Sequence, residues 1–265
     1  MAPAAPLAFI TGASSGLGQA LATRYARLGW RLALVARRLD DMQRWARDAG
    51  LSEDRYVLYA LDVTQTDALI QAAQDCLTRL GVPQVVVANA GISIGMDTAQ
   101  REDLDVMART FATDNLALAA TFHPFVEPMR QRGGGRLVGI ASVAGVRGLP
   151  GHGAYCASKA AVISYCESLR GELRGSGVKV VTLSPGYIDT PLTRQNRYAM
   201  PFLMSADDFA AQAVRAIEAG VSHRVIPWPM GLVASVLRWL PNRCFDALLA
   251  GRPRKHRQTQ NIKTD

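Results

Sequence analysis

The chain has 265 residues, 49% apolar and 20% charged, which suits one fully wrapped α/β domain and excludes a disordered chain. Its 23 glycines keep no three-residue period, which excludes collagen. The net charge is +8, and Arg252, Arg254, Lys255, Arg257 and Lys263 against Asp265 place half of it in the last fourteen residues, an excess that suits nucleic acid, a membrane surface or a phosphorylated ligand.

Residues 7–10 read as a buried strand running into a glycine turn, and no basic stretch of a signal peptide precedes them. A helix over 16–28 stops at Gly29, and a second strand over 31–36 is apolar from Leu32 onward. Helix 39–49 stops at Gly50, and strand three covers 56–61. Helix 64–80 takes Thr64 as its N-cap and ends at Gly81. Strand four, 84–88, is nearly all Val and Ala. The helical region 101–130 must bend at Pro124 and Pro128, because proline lacks the N–H and clashes with the preceding turn. Gly133-Gly134-Gly135 turns the chain into strand five, 136–141, and a long helix follows over 155–174. Strands over 178–183 and 224–227 enclose a helix over 206–219. Strands apolar along their length and separated by helices predict a parallel sheet covered on both faces. Right-handed crossovers then give one Rossmann-type doubly wound sheet of about seven strands, in the order 3-2-1-4-5-6-7. The domain spans 1–229, a long loop over 187–204 has the character of a lid, and 230–265 forms an extension. No run of 18 apolar residues predicts a transmembrane helix.

Thr11-Gly12-Ala13-Ser14-Ser15-Gly16-Leu17-Gly18 follows strand one in the spacing GxxxGxG. Gly12 permits a tight turn, Gly16 lets the backbone approach a pyrophosphate, and Gly18 permits close helix–sheet packing. An ordinary glycine turn is the alternative. Strand two ends Val35-Ala36-Arg37-Arg38, with no acid at its tip, since Asp40 and Asp41 lie inside the next helix. Arg37 and Arg38 therefore favour NADP(H), whose 2′-phosphate suits a guanidinium, over NAD(H); a solvated helix start is the alternative. Tyr155 and Lys159 lie four residues apart on one helix face. A neighbouring ammonium lowers a phenol pKa toward neutrality, so Tyr155 is a candidate acid–base for a carbonyl/alcohol pair. Ser142, at the carboxyl end of strand five, can bond the substrate oxygen.

These residues, with Asp62-Val63, Asn89-Ala90-Gly91, Asn115 and Pro185-Gly186 in the same order along the chain, resemble the short-chain dehydrogenase/reductase family from about Leu7 to Pro227. The resemblance implies that Asp62 and Val63 contact the adenine, and that Asn89, Ala90 and Gly91 hold strand four and the adenosine ribose. It implies that Lys159 bonds the nicotinamide ribose and tunes Tyr155, and that Asn115 holds a relay water. It further implies that Pro185, Gly186, Ile188 and Thr190 face the nicotinamide, and that hydride passes to or from a carbonyl carbon as Tyr155 moves the proton. Ala88 departs mildly from the family, which often carries a second Asn there.

The loop contributes Tyr187, Leu192, Tyr198, Met200, Phe202, Leu203 and Met204, which suit a lipophilic ketone, aldehyde or acyl chain; packing of the lid itself is the alternative. Tyr187, Met200 and Phe202 are the candidate substrate contacts beside Ser142 and Tyr155. The extension carries the apolar stretch from Trp228 to Leu240, which can cover the substrate pocket, pack on a second subunit or lie in a membrane interface. The long helices 101–130 and 155–174 often build dimers and tetramers in the family resembled. The basic tail has no aromatic interleaving of a nucleic-acid module. His123, His152, His223 and His256 are isolated, so no metal is expected, and Cys76, Cys156, Cys166 and Cys244 show no CxxC, which suits reduced thiols in the cytoplasm, with 230–265 as the candidate contact with the inner face of a membrane. An NADP(H)-sensing module without turnover is the competing function.

Overall fold

The computed structural model describes residues 5–194, 196, 199–251, 254, 255 and 257. Seven parallel strands form one sheet: β1 (Leu7–Thr11), β2 (Arg31–Ala36), β3 (Tyr56–Ala60), β4 (Val85–Ala88), β5 (Gly135–Ile140), β6 (Val178–Pro185) and β7 (His223–Ile226). Their order is β3-β2-β1-β4-β5-β6-β7, so the chain winds outward in both directions from β1 and β4. The switch point lies between these two strands, where a doubly wound sheet opens a crevice at its carboxyl edge.

Alternation along the strands explains the two-sided cover. Ala8, Ile10, Leu32, Leu34, Val85 and Val87 point to one face. They meet α1 (Gly16–Arg27), α2 (Leu39–Asp48) and α7 (Ala206–Glu218). Leu7, Phe9, Ala33, Val35 and Val86 point to the other face. There they meet α3 (Thr66–Leu80), α5 (Ala117–Arg132) and α6 (Gly153–Glu172). Successive residues of a strand face opposite sides, so a sheet buried on both must be apolar at every position. Each Val, Leu, Ile or Phe among them contributes about 1.5–3 kcal/mol by leaving water.

One expected boundary is corrected. Thr64 does not cap α3, which begins at Thr66 after Gln65. Asp62 Oδ1 instead accepts from the Thr64 N–H at 2.9 Å and from its hydroxyl at 2.8 Å, and this turn delays the helix. The helical region 101–130 is interrupted at neither proline. It begins as α4 (Asp103–Phe111), widens into a π turn at Ala112–Leu116, and continues as α5 through Pro124 and Pro128. Side-chain bonds of Asp114 and Asn115 to distant segments hold that turn, and π turns gather at functional sites.

The extension forms α8 (Trp228–Trp239) and α9 (Asn242–Leu249). Met230 and Ala234 are buried, whereas Trp228, Leu232, Val236 and Trp239 stand in solvent on the opposite face. Arg147 holds the two helices together: its guanidinium donates to the Leu237 and Leu240 carbonyls and to Asn242 Oδ1, and lies 3.9 Å from the Phe245 ring centroid.

Candidate active site

Below the carboxyl edge of β1, Thr11 ties the glycine loop to β4. Its hydroxyl donates to the Val87 carbonyl and accepts from the Asn89 N–H at 3.0 Å. Asn89 Nδ2 donates to the Thr11 carbonyl at 2.9 Å and the Gly12 carbonyl at 3.3 Å. Gly12 has φ +69°, a conformation that glycine adopts without strain. A Cβ on Gly18 would stand 2.3 Å from the Gly12 carbonyl oxygen, so only glycine lets α1 approach the loop this closely.

The N-terminus of α1 carries no acid in its first turn and receives no side-chain cap from Ser15. Its N–H groups and dipole are open to an anion in the cavity above. That cavity, of about 660 Å³, is lined by Gly12, Ser14, Ser15, Gly16 and Leu17 of the loop. Arg37, Arg38, Asp62 and Val63 line its far end, with Asn89, Ala90 and Gly91 at β4, then Ser142, Tyr155, Lys159, Pro185, Gly186, Ile188 and Thr190. An open helix N-terminus, a glycine cradle and two arginines at one end fit a nicotinamide dinucleotide. Arg37 lies 3.5 Å from Asp62, and Arg38 Nη2 donates to Ser15 Oγ at 3.2 Å while its Nε pairs with Asp41. Of the residues expected here, Gly18 and Asn115 do not line the cavity.

At the other end, α6 carries Tyr155 and Lys159 one turn apart, and Ser142 caps the short turn Val143–Gly145 by accepting from the Ala144 N–H. The Ser142 side chain favours the ionised form of the Tyr155 phenol. Lys159 Nζ donates to the Ile140 carbonyl at 3.1 Å and lies 5.7 Å from the Tyr155 ring centroid. Behind it stands Asp114, 1% exposed, with Oδ2 3.2 Å from Nζ. Asp114 also accepts from the Ile92 N–H at 2.8 Å and the Ser158 hydroxyl at 3.0 Å. Asn115 Nδ2 donates to the Ser158 carbonyl at 2.8 Å, and its buried Oδ1 has no partner among the described residues.

Burial works against the Lys159 charge, but Asp114 and Tyr155 outweigh it and hold the ammonium above its ordinary pKa. Burial pushes the Tyr155 phenol above its ordinary value, with Lys159 and Ser142 pulling the other way. This corrects the expectation that Lys159 brings the phenol toward neutrality: desolvation of the phenolate is the larger effect, and Asp114 takes up part of the lysine's charge.

A second cavity, of about 890 Å³, opens beside Ser142 and Tyr155, which line both. Its walls are Val143, Val146 and Leu149, Tyr187 and Met200 of the loop, Met230, Val233, Ala234 and Leu237 of α8, and Leu248 and Leu249 of α9. The loop is pinned where the Met204 N–H donates to the Tyr187 carbonyl and the Asp189 N–H to the Met204 carbonyl. Phe202 does not line this cavity; its backbone is left-handed, φ 57°, and the residue is 53% exposed. Tyr198 lies outside the described residues.

Sequence reasoning missed Asp114, Arg147 and Lys255, which also line or support this site. For Asp114 there was a signal, an acid directly beside Asn115 in an otherwise apolar helical stretch. For the other two there was none, because their partners lie far away along the chain.

The family model for short chain dehydrogenase matches residues 6–200. An uncharacterized oxidoreductase of Myxococcus xanthus is 38% identical over 240 residues, covering 91% of this chain and 94% of that protein. A short-chain dehydrogenase from Streptomyces avermitilis superimposes with a TM-score of 0.77 at 25% identity, over 89% of this chain and 97% of the other. L-Sorbose reductase from Gluconobacter frateurii, solved with NADPH and L-sorbose, gives a TM-score of 0.74 at 25% identity, over 84% and 95%. With its seven-stranded sheet, glycine loop and Ser142–Tyr155–Lys159 cluster, the chain belongs to the short-chain dehydrogenase/reductase family of oxidoreductases.

Proposed function

We propose that the protein is an NADP(H)-dependent reductase of a lipophilic carbonyl compound, a ketone, an aldehyde or a 3-oxoacyl compound, or the dehydrogenase of the matching alcohol. The observation that carries this reading is the meeting of the dinucleotide-shaped cavity and the apolar cavity at Ser142 and Tyr155. A bound nicotinamide supplies or accepts the hydride. Ser142 and Tyr155 hold the substrate oxygen by hydrogen bonds. Tyr155 gives that oxygen its proton during reduction and takes it back during oxidation. Lys159 stabilises the phenolate that forms, and Asp114 keeps Lys159 charged and fixed. Leu149, Met200, Val233 and Leu237 bind the apolar body and keep water from it. A cofactor sensor without turnover has no use for a second cavity opening on the tyrosine.

Arg37 and Arg38 support the preference for NADP(H), as does the NADPH in the L-sorbose reductase structure. Each charge-assisted bond to a phosphate is worth about 1.5–3 kcal/mol. In a carbonyl panel, aliphatic ketones and aldehydes of medium chain length outperform small polar ketones, with NADPH favoured over NADH. Replacing both arginines by alanine raises the KM for NADPH about 10–100-fold and leaves NADH kinetics unchanged. Best turnover of small polar ketones, or equal loss with both cofactors, contradicts the assignment.

Exposed Leu104, Met107, Leu116 and Tyr165 on the α4–α6 surface support a homodimer or homotetramer. Four free cysteines, three of them buried, support a reducing cytoplasmic compartment. Among the described residues no helix is long and apolar enough to cross a membrane. The outer face of α8, with Trp228 70% and Trp239 84% exposed, supports peripheral contact with an anionic lipid surface. The protein then pellets with phosphatidylserine vesicles at low salt, and Trp228→Ser with Trp239→Ser returns it to the supernatant. Failure of the intact protein to pellet ends this idea. Substitution is the sound test, because deleting 230–265 would strip Met230, Val233, Ala234 and Leu237 from the cavity wall.

A further inference from the structure

The described residues of the C-terminal tail return to the domain, and Lys255 among them lines the apolar cavity. Arg257 anchors them: its Nε donates to Asp103 Oδ2 at 2.6 Å and its Nη2 to Glu102 Oε1 at 3.0 Å, and its backbone bridges to Gly95. Asp103 is 1% exposed, so this is a seated ion pair rather than a surface encounter. Between this anchor and α9, Lys255 turns inward. Its Nζ donates to Ser93 Oγ at 2.6 Å, lies 5.9 Å from the Tyr155 ring centroid and lines the cavity.

No Asp or Glu is among the described residues lining that cavity, whose cationic side chains are Arg147 and Lys255. Arg147 is committed to backbone carbonyls and Asn242. Among the described residues, Lys255 donates to the neutral Ser93 hydroxyl, with the Tyr155 ring and His152 beside it and no carboxylate on the cavity wall. A partly buried ammonium in apolar surroundings gains more from an anion than one in water, because the local dielectric is lower. Burial has already lowered the Lys255 pKa to about 8, so its charge is present at pH 7 but poorly solvated.

We propose that Lys255 is the anion-binding group of the substrate site, and that the substrate is an apolar carbonyl compound bearing a carboxylate a few bonds from its carbonyl carbon. One ammonium with one hydroxyl suits a monoanion. The short distance between Nζ and the Tyr155 ring places that anion near the reacting oxygen, and the apolar walls take the remaining chain. This inference rests on the reading of the apolar cavity as the substrate site.

The test reads binding rather than turnover. The NADPH-loaded protein is titrated calorimetrically with decanoate and with 1-decanol, which share a chain and differ in charge. Decanoate binds about tenfold tighter or more at pH 7. Lys255→Met brings decanoate down to the decanol affinity and leaves decanol unchanged, while Lys255→Arg keeps most of the preference. Equal affinities in the intact protein, or a Lys255→Met loss shared equally by both ligands, overturns the proposal. A protein that reduces carbonyls without preferring decanoate refutes the anion site alone. One that binds decanoate through Lys255 but reduces no carbonyl refutes the reductase reading alone.

Discussion

Tyr155→Phe lowers turnover by about 10³-fold while NADPH affinity and thermal stability stay within error of the unaltered protein. The substitution removes one hydroxyl and leaves the ring in place on α6. Proton transfer by a positioned side chain is worth about 10²–10⁴-fold, which sets the size of the loss. Steady-state kinetics with cofactor titration checks it: kcat falls, whereas the dissociation constant of NADPH does not. Retention of more than a tenth of the activity would remove Tyr155 from its role. The direction of its pKa shift adds a pH dependence. Burial raises the phenol pKa, so at pH 7 Tyr155 carries its proton and is ready to act as an acid. Reduction is therefore flat through neutrality and declines only as alkaline pH strips the phenol. Oxidation needs the phenolate and rises over that same alkaline range.

Asp114 carries the second large effect. Asp114→Leu leaves the Lys159 ammonium buried with no counter-charge, and removing one partner of a buried pair costs about 3–5 kcal/mol. For a chain of this size that lowers the melting temperature by about 10 °C. Asp114→Asn separates this structural loss from the electrostatic one. The amide oxygen still accepts from the Ile92 N–H, so the fold is kept, but the main influence holding the Lys159 pKa up is gone. With position 114 neutral, no carboxylate there offsets the lysine's pull on the phenol, so the Tyr155 pKa falls and the alkaline limb of the oxidation profile moves to lower pH. Thermal unfolding and pH–rate profiles of the two variants check this. An Asp114→Asn enzyme with the original pH profile would show that Asp114 acts only as a structural bond acceptor.

The sheet and its order were legible because strand burial on both faces imposes unbroken apolar runs, as in Val85-Val86-Val87-Ala88. The glycine loop was legible because the tight φ at Gly12 and the close approach at Gly18 are demands on residue type within one short segment. Tyr155 and Lys159 were legible because a four-residue spacing guarantees a shared helix face. The π turn was not legible for the complementary reason. The interruption of the helical region depends on Asp114 and Asn115 reaching Ile92 and Ser158, not on the local effect of Pro124 or Pro128. Phe202 stands exposed outside the apolar cavity, which loop hydropathy alone did not indicate.

Local chemistry thus determined, from the sequence by itself, the parallel sheet, the phosphate cradle, the paired arginines and the Tyr–Lys helix face. Tertiary structure alone decided that Asp114 stands behind Lys159, that burial outweighs the ammonium in setting the Tyr155 pKa, that α8 walls a second cavity, and that Arg257 brings Lys255 back to Tyr155. The reason is distance along the chain: Asp114 meets Ser158 across 44 residues and Arg257 meets Asp103 across 154. No local pattern encodes such pairings. The order of the strands and the path of the packed chain bring them together.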